Sequence, residues 1–364
     1  MSKKILVSFV VPFYNAESYI KTCLDGLLSQ DFPKPFEIIM VDDASTDNCG
    51  DIVKMNDNPV LRLYSLATNS GPGAARNVGL QKAKGEYVFF LDVDDTIAAN
   101  TLTTMYGVAN ETNCDLVFCD FKRIENSVNQ RDNIFNYPSD QSFGNSDISE
   151  SMRTRLHDPL SSSSSRLFAL NGRLIRRSII SENNILFQEE LRYLEDETFM
   201  WDVLAFVQSA SYVRKQMYSY HVFPNVNTAL SEGISRGFPV SYFKLIKSHI
   251  QNCLKQRGFS VQEFKKLGDQ AFIFFIINAL ISYSRSMIQG KVEFEFGVKC
   301  RRKIIDDIFA DHDVSKSIRN YSRSQEESRW IPLAIAWRSR KFLEFACNRR
   351  AKQIWQRRKS KEIS

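Results

Sequence analysis

The sequence predicts an α/β fold in which a mostly parallel sheet is followed by a C-terminal helical region. Short runs of β-branched and aromatic residues alternate with amphipathic helical segments over the first half of the chain, and this rhythm is typical of parallel sheets. Residues 87–91 are apolar throughout, as expected of a strand buried on both faces of a sheet. From Pro239 onward only helical patterns are present. We therefore expect residues 1–230 to form the α/β domain and residues 231–364 the helical region.

Each element follows from a run of apolar residues and from the residues that interrupt it. Pro12 ends the first strand because proline cannot donate to the ladder, and Pro33 and Pro35 end the first helix. The strands are predicted at residues 4–11, 36–41, 61–66, 87–91 and 115–121, with a strand pair at 211–221. Helices are predicted at residues 17–29, 101–111, 240–256 and 261–287. A further helix is predicted to begin at about residue 49, and another, after the turn at residues 69–77, to end at about residue 83.

Acidic residues directly follow two of the predicted strands. Asp42 and Asp43 come after the second strand, and Asp92, Asp94 and Asp95 come after the fourth. Ligands bind at the carboxyl ends of strands in open α/β sheets, and crowded carboxylates suit a hard cation such as Mg²⁺ or Mn²⁺. The alternative is a solvated turn in which Asp95 or Thr96 caps a helix that begins near Ile97. One cap leaves the other two carboxylates without a role, so we favour the cation.

A glycine-rich turn precedes the third helix. Gly71 and Gly73 have the spacing of a dinucleotide-binding fingerprint, but Arg76 stands where the third glycine would be. The alternative is a pair of loop glycines without a ligand. Arg76 lies in the first turn of the helix, near free backbone N–H groups, and this arrangement favours a site for a phosphate or a base edge.

Composition and cysteine usage exclude several classes of protein. The chain of 364 residues is 43% hydrophobic and 25% charged, as is ordinary for a globular protein. No N-terminal signal is visible, and the most apolar run, residues 270–282, is too short to span a bilayer, so a polytopic membrane protein is excluded. Seven scattered cysteines without CxxC pairs indicate reduced thiols in the cytoplasm and argue against disulfides and zinc.

Five short motifs occur in a fixed order over less than a third of the chain. They are Pro-Phe-Tyr-Asn at 12–15, Val-Asp-Asp-Ala-Ser-Thr-Asp at 41–47, Asn-Ser-Gly-Pro-Gly-Ala-Ala-Arg-Asn at 69–77, Gly-Glu-Tyr at 85–87 and Asp-Val-Asp-Asp at 92–95. In this order they resemble the inverting family 2 glycosyltransferases of bacterial polysaccharide and glycolipid synthesis. The resemblance covers residues 5–225 and implies the GT-A fold, a Rossmann-like fold of nucleotide-diphospho-sugar transferases, with a DxD motif.

The resemblance also implies which residues bind the sugar-nucleotide donor. Asp43 would bond the base edge with Arg76 beside it, while Asp94 would bind a metal that bridges the diphosphate. Relatives have arginine, or sometimes histidine, at the position of His221, which would contact phosphate or be a third metal ligand; a structural role is the alternative. The implied donor-binding set is Pro12, Tyr14, Asn15, Glu17, Asp43, Arg76, Asp92, Asp94 and His221, and the implied metal set is Asp94, Asp92 and His221.

The attacking hydroxyl also needs a carboxylate that takes its proton. In the family a Glu-Asp pair at a helix start serves this purpose, and the matching pair here is Glu195 and Asp196. We predict Asp196 as the catalytic base and Glu195 as an orienting or substitute group. The alternative is that residues 195–197 merely favour the positive end of a helix. The family further implies a flexible segment, here residues 222–231, that closes over the diphosphate.

The C-terminal tail combines basic residues with apolar ones at helical spacing. Arginines and lysines of residues 338–361 alternate with residues such as Trp337, Phe345 and Trp355, which suits an amphipathic helix on an anionic membrane surface. We expect a cytoplasmic protein, peripheral on the inner face of the cell membrane. Nucleic acid is not an expected partner because no binding module accompanies the basic patch. The apolar run at residues 270–282 predicts a helix that is buried either in a helical bundle or in a dimer contact, and the second alternative would make a homo-oligomer through the C-terminal helices.

With the resemblance, these residues predict a metal-assisted single displacement. A hexosyl or N-acetylhexosaminyl group would pass from a UDP-sugar to a hydroxyl of a glycan or lipid-linked glycan, with Mn²⁺ or Mg²⁺, in cell-surface polysaccharide synthesis. One alternative is a nucleotidyltransferase-like enzyme, which would show a glycine-rich phosphate loop directly after the first strand. The other is a non-catalytic glycan-binding relative, against which the intact Asp92, Asp94 and Asp196 count.

Overall fold

The computed structural model of the protein describes residues 4–125, 128–130, 137, 139–157, 167–191, 194–222, 239–290, 294–323 and 327–363. The chain divides into two compact units. Unit 1 comprises Met1–Met152 and Ser162–Asn225, and unit 2 comprises Arg153–Ser161 and Val226–Ser364.

Unit 1 is built around a mixed sheet, which has ten strands among the described residues. The strands are β1 (Val7–Phe13), β2 (Phe36–Asp42), β3 (Leu61–Ser65), β4 (Tyr87–Phe90), β5 (Thr96–Ile97), β6 (Leu116–Glu125), β7 (Val128–Gln130), β8 (Gln141–Phe143), β9 (Arg173–Arg176) and β10 (Ala210–Val222). The helices along this part of the chain are α1 (Glu17–Leu28), α2 (Cys49–Lys54), α3 (Pro72–Lys82), α4 (Thr101–Thr112), α5 (Asn145–His157), α6 (Arg177–Glu182) and α7 (Glu195–Phe206).

The strand order places a ligand-binding crevice beside β1. The order is β3-β2-β1-β4-β9-β6-β10-β5, with β7 on β6 and β8 on β10. The first four strands in this order are parallel, whereas β9 runs antiparallel to both of its neighbours. Because β1 pairs with both β2 and β4, the strand order reverses there, and ligands bind at such a switch point. The predicted α/β fold class is confirmed, with antiparallel strands beyond β4.

The core of unit 1 explains why β4 reads as a continuous apolar run and β1 as an apolar run interrupted by Ser8. Every residue of β1 and of β4 is buried, and α3 packs against the sheet at β1. The close approach depends on Gly79, because a Cβ there would lie 2.3 Å from the Val10 Cγ1 atom. Glycine is the residue that permits such backbone proximity.

Three predicted boundaries are wrong. Pro12 lies inside β1, which runs to Phe13. Pairing of β1 with β4 stops at Val10, so only β2 pairs with the part of β1 that contains the proline. The strand pair predicted at 211–221 is the single strand β10, whose polar middle forms register shifts rather than a turn. The helix start near residue 97 that the capping alternative requires is wrong, because Thr96 and Ile97 form β5; the helix predicted at residues 101–111 is confirmed as α4.

Unit 2 is helical over its described residues. Its helices are α8 (Val240–Gln256), α9 (Val261–Ile288), α10 (Phe294–Ala310), α11 (His312–Ser317), α12 (Trp330–Ala336) and α13 (Arg340–Ile363), with a 3₁₀ turn at Ile318–Asn320. Helix α9 begins with a capping box in which the Ser260 and Glu263 side chains each accept from the other's backbone N–H. It packs against α8 and α13.

Helix α9 corrects the expectation about membrane-spanning length. The apolar run at 270–282 belongs to a helix of 28 residues, and by length and composition this helix could cross a membrane. It is the one such helix among the described residues, and 67% of its most apolar window is buried within the protein. Buried core helices meet the same criterion, so the length alone does not indicate a membrane span.

The C-terminal helices use much of their aliphatic surface inside the protein. Ile331, Ile335 and Leu343 are buried, as are Cys347 and Ala351. The exposed apolar surface of this region comes instead from Leu333, Trp337 and Phe345, which are 39%, 66% and 57% exposed. The amphipathic side predicted for the tail is therefore smaller than its sequence suggests.

Candidate active site

The loop after β1 is tied to the loop after β2 by side-chain hydrogen bonds. The Asn15 side-chain oxygen accepts from the Thr46 backbone N–H at 2.8 Å, and the Glu17 carboxylate accepts from the Asn48 side chain at 3.1 Å. Asn15 has φ of 48°, a left-handed conformation that asparagine tolerates better than most residues. Two of the predicted donor-binding side chains therefore hold these loops together.

Pro12 and Tyr14 lie at the same end of β1. Pro12 is buried in register with Val41 of β2, whereas the Tyr14 side chain is 47% exposed. An exposed aromatic ring at the carboxyl end of a central strand is available for stacking on a planar ligand. The Tyr14 ring is therefore accessible to a bound nucleotide, as its place in the predicted donor-binding set requires.

Asp43, at the end of β2, binds the glycine-rich turn through both carboxylate oxygens. One oxygen accepts from the Ser70 backbone N–H at 2.7 Å and the other from the Gly71 backbone N–H at 2.8 Å. Gly71 has φ of 92° and directly precedes Pro72, the first residue of α3. Asp43 is 3% exposed, and its remaining lone pairs can still accept from a base N–H. Its carboxylate therefore fixes where α3 begins.

Arg76 lies in the second turn of α3 and not in the predicted first turn, because the helix already begins at Pro72. It stands between two carboxylates. Its guanidinium donates to Asp92 Oδ1 at 2.8 Å and to Glu195 Oε1 at 3.0 Å, and it packs over the Phe187 ring at 5.4 Å. Burial alone would lower the pKa of Arg76, but the nearby Asp92 and Glu195 raise this pKa above its ordinary value. Arg76 thus joins the carboxyl end of β4 to the start of α7.

Asp94 has the environment of a metal ligand. No other described residue donates a hydrogen bond to its carboxylate, and burial together with the Asp92 charge raises the pKa of Asp94 to about 6. A carboxylate that is crowded by another and lacks donors is stabilised by a hard divalent cation, which prefers oxygen ligands. The donor set of Asp92 and Asp94 therefore fits the predicted Mg²⁺ or Mn²⁺.

Asp95 contradicts the alternative of a solvated capping turn. Its side chain is 1% exposed, and its oxygens accept from the Tyr218 hydroxyl at 2.5 Å and from the His221 backbone N–H at 2.8 Å. Burial and the charges of Asp92 and Asp94 raise the pKa of Asp95 above its ordinary value. The third carboxylate of the motif thus faces inward and contacts β10.

His221 lies beside this turn at the end of β10. Its Nε2 atom is 3.1 Å from the Thr96 hydroxyl oxygen, and burial lowers its pKa, with a further contribution from Lys122. A lowered pKa favours the neutral imidazole, which is the form that binds metals. The segment 222–231 that we predicted to close over the diphosphate lies outside the described residues, apart from Val222.

Asp196 is the second residue of α7. Its Oδ1 atom accepts from the Glu197 backbone N–H at 2.8 Å. Burial raises the pKa of Asp196 to about 7, with the Glu195 charge adding to the shift and Arg76 opposing it. A carboxylate with a pKa near neutrality is suited to general base catalysis. Glu195, by contrast, is engaged by Arg76, which fits an orienting role.

Two residues near the site were not predicted. Tyr218 holds Asp95, and Asn77 holds the chain near Phe187 by accepting from its N–H at 2.8 Å and donating to its carbonyl at 2.9 Å. A tyrosine in a buried strand needs a partner for its hydroxyl, and that need was the available signal for Tyr218. Asn77 follows Arg76 in the quoted motif, but nothing in the sequence indicates a partner 110 residues away.

The pattern of Glycosyl transferase family 2 matches residues 8–182. Residues 8–182 belong to this family. The family 2 segment contains the ends of β1, β2 and β4 together with Arg76, whereas Asp196 and His221 lie beyond it.

Curated relatives extend the similarity past this segment. The chain is 34% identical to the poly(ribitol-phosphate) beta-N-acetylglucosaminyltransferase TarS of Staphylococcus aureus over 218 residues. This alignment covers 58% of the chain and 35% of TarS. The chain is 32% identical over 199 residues, 53% of the chain, to the poly(ribitol-phosphate) beta-glucosyltransferase of Bacillus spizizenii and covers 28% of it. The chain thus spans about a third of these relatives' length.

Solved structures establish the fold. The crystal structure of Staphylococcus aureus TarS 1–349 with UDP-GlcNAc matches with a TM-score of 0.68 at 23% identity, covering 96% of this chain and 92% of that one. The complex of the same TarS fragment with UDP matches with a TM-score of 0.66 at 24% identity and the same coverage. The predicted GT-A fold is confirmed.

Proposed function

We propose that this chain is an inverting glycosyltransferase that transfers a hexosyl or N-acetylhexosaminyl group from a UDP-sugar to a hydroxyl of a glycan acceptor. The observation that carries the proposal is the double ion pair of Arg76 with Asp92 and Glu195. It brings the donor-side carboxylates and the start of α7 into one cluster within unit 1. The names of the relatives, two of which act on poly(ribitol phosphate), support cell-surface polysaccharide synthesis as the process.

On the donor side, the nucleoside would bind at the carboxyl ends of β1 and β2. Tyr14 offers an exposed ring, Pro12 a rigid backbone, and Asp43 an oxygen for the base N–H. We assign Asn15 and Glu17 an indirect role, because their side chains already bind residues 46–48. The crystal structures of TarS with UDP and UDP-GlcNAc support a uridine nucleotide.

Asp94, with Asp92 and His221, would hold the cation at the end of β4. A bound Mn²⁺ or Mg²⁺ would stabilise the negative charge that develops on the departing UDP. The chain's own contribution is to keep hard oxygen ligands close together, and Arg76 compensates part of their mutual repulsion because it already binds Asp92.

Asp196 would act as the base. The acceptor hydroxyl gives its proton to the Asp196 carboxylate while its oxygen bonds to the anomeric carbon from the face opposite the diphosphate. The bond from that carbon to the diphosphate oxygen breaks, UDP leaves with the electron pair, and the configuration inverts. A base of this kind accelerates such a reaction by about 10²–10⁴-fold.

The decisive experiment measures sugar transfer by the purified full chain with Mn²⁺. UDP release and sugar incorporation are followed with UDP-GlcNAc and UDP-glucose, with poly(ribitol phosphate) as the acceptor. Asp196→Asn should lower the rate by about 10²–10⁴-fold and leave UDP affinity close to that of the wild type. Glu197→Gln is the matched control, since it removes the same charge from the same helix start, and its rate should stay near that of the wild type.

Two results would contradict the proposal. If no UDP-sugar binds the wild-type chain, the donor class is wrong. If Asp196→Asn and Glu197→Gln lower the rate equally, or if Asp196→Asn loses UDP affinity in parallel with rate, the base assignment fails and Asp196 is structural.

We further propose peripheral attachment to an anionic membrane through unit 2. Trp337 and Phe345 are exposed aromatic residues, and exposed basic residues, among them Lys341 and Arg349, lie on the same helix as Phe345. Aromatic residues that enter the headgroup region, together with lysine and arginine near anionic lipid, are the features of interfacial helices. Self-association of the unit 2 helices stays a prediction.

Sedimentation with liposomes tests the membrane proposal. A double substitution of Trp337 and Phe345 by alanine should release the chain from vesicles containing phosphatidylglycerol, while neutral vesicles should bind neither protein. Met55→Ala, which removes an apolar side chain that is 81% exposed in unit 1, is the control and should sediment like the wild type. Unchanged sedimentation of the double variant would exclude this surface.

A further inference from the structure

Strand β10 carries two buried tyrosine–aspartate pairs of the same chemistry. The Tyr218 hydroxyl donates to Asp95 Oδ2 at 2.5 Å, and the Tyr212 hydroxyl donates to Asp120 Oδ2 at 2.7 Å. Tyr212 and Tyr218 are 1% and 0% exposed. The pairs differ in where the aspartate lies. Asp120 belongs to β6, whereas Asp95 directly follows Asp94 of the predicted cation site.

The Asp95 pair links the cation-site turn to the end of β10. The Asp95 backbone N–H donates to the Asp92 carbonyl at 3.0 Å, which closes the turn. The Asp95 side chain then binds both the Tyr218 hydroxyl and the His221 backbone N–H. One buried residue thus touches the turn that bears Asp94 and the strand end that bears His221.

We propose that Asp95 and Tyr218 are positioning residues, which hold the turn at 92–95 against β10 so that Asp94 and His221 are presented together to the cation. The inference rests on the proposed function, because it concerns the geometry of the same site. Neither residue needs to touch the substrate: Tyr218 has no exposed surface, and Asp95 is 1% exposed.

The Tyr218 ring is itself fixed, so its hydroxyl is a defined anchor. The ring stacks on Phe89 of β4 with centroids 6.4 Å apart and planes 26° apart. Adjacent to it, the β5 residues Thr96 and Ile97 pair antiparallel with Ser219 and Tyr218. Removing only the hydroxyl should leave this packing intact and free the Asp95 carboxylate to move. Removing a side chain that supports a metal site from outside its ligand shell lowers the metal affinity by about 10–100-fold.

The test is a comparison of Tyr218→Phe with Tyr212→Phe in the full chain. Mn²⁺ affinity is measured by electron paramagnetic resonance titration, with and without UDP, so that the readout does not depend on turnover. Tyr218→Phe should weaken Mn²⁺ binding by about 10-fold or more. The Mn²⁺ concentration for half-maximal transfer should rise in parallel, with most of the rate recovered at saturating Mn²⁺. Tyr212→Phe deletes an equivalent buried hydroxyl and should leave Mn²⁺ affinity unchanged.

The outcomes separate this inference from the proposed function. Equal Mn²⁺ affinity in the wild type and in folded Tyr218→Phe, or equal weakening in both tyrosine variants, would overturn the positioning role alone. A wild-type chain that binds no Mn²⁺ would overturn the metal assignment together with this inference. If circular dichroism shows that Tyr218→Phe does not fold, Asp95→Asn replaces it. The same loss of Mn²⁺ affinity is then expected, and unchanged Mn²⁺ affinity would contradict the positioning role.

Discussion

The carboxyl ends of β2 and β4 carry similar sequences, Asp42-Asp43 and Asp92-Val93-Asp94-Asp95. The carboxylates at the two strand ends differ in the hydrogen bonds that they accept. At the end of β2, Asp43 receives two backbone N–H groups and Asp42 receives one, from Ser45 at 2.9 Å. At the end of β4, Asp94 receives no hydrogen bond from another described residue, and burial next to Asp92 raises its pKa to about 6.

The difference shows how to distinguish a structural acidic turn from a cation site. Backbone N–H groups satisfy a carboxylate at the place where the chain folds over it, and the cost of burying its charge is then met internally. Where such donors are missing, the negative charge must be compensated by an arginine, as for Asp92, or by a bound cation. The β2 end is therefore expected to depend on hydrogen bonds, and the β4 end on metal.

The largest expected effect is on catalysis at the β4 end. Asp94→Asn should lower Mn²⁺-dependent transfer by about 10²–10³-fold, as when one group that stabilises developing charge is removed. UDP-sugar affinity measured without metal should stay close to the wild-type value. Asp42→Asn is the matched change at the β2 end and should retain the wild-type rate. Wild-type activity in Asp94→Asn would show that the two strand ends do not differ in this respect.

The next effect is on stability at the β2 end. Asp43→Ala leaves the Ser70 and Gly71 N–H groups without their acceptor in a buried place, which should lower the free energy of unfolding by about 2–4 kcal/mol. Asp42→Ala removes one acceptor from a partly exposed turn and should cost about 1 kcal/mol. Urea unfolding measures both. A cost for Asp43→Ala no larger than that for Asp42→Ala would show that the double hydrogen bond contributes little.

A smaller effect concerns pH and tests whether carboxylate crowding extends from β4 to α7. Asp196, the proposed base, can accept a proton only when ionised, and its pKa is raised to about 7 by burial and by Glu195. Below that pH the rate should therefore fall about tenfold per pH unit, and it should level off above it. Glu195→Gln removes a like charge while Arg76 and Glu197 still face Asp196, so the midpoint of the pH–rate profile should move to lower pH. An unchanged midpoint would assign the pH dependence to another group.

Much of the parallel part of unit 1 was predictable because β1, β2 and β4 are buried almost throughout. Such strands read as unbroken apolar runs, and the residues after them mark the strand ends where ligands bind. The placement of Glu195 and Asp196 at a helix start came instead from the family resemblance, and α7 does begin at Glu195. The paired strand predicted at 211–221 failed because register shifts around Gln216 interrupt the alternation of β10 in the way that a turn would.

The roles of the charged side chains were less predictable than their positions. Arg76 and Glu195 are 119 residues apart in the chain, and no local pattern indicates that they bind each other. Tyr218 and Tyr212 lie in similar sequence surroundings, and only the fold shows that Tyr218 contacts Asp95 in the turn at residues 92–95. Likewise, the sequence could not show that Ile331 and Ile335 pack inward, leaving Trp337 and Phe345 as the exposed apolar residues.

The smallest expected effect distinguishes the two possible roles of Asn15, which lies beside the β2 end. Its side chain accepts from the Thr46 backbone N–H, and its φ is positive. Asn15→Gly keeps the backbone conformation and loses only the hydrogen bond, at a cost of about 1 kcal/mol, whereas Asn15→Ala should cost more because alanine is strained at that φ. If Asn15 only holds the loops, the UDP affinity of both variants, measured by calorimetry at a temperature where both are folded, should stay close to that of the wild type. A large and equal loss of UDP affinity in both would instead mean that the side chain contacts the nucleotide, and the β2 end would then bind ligand as directly as the β4 end.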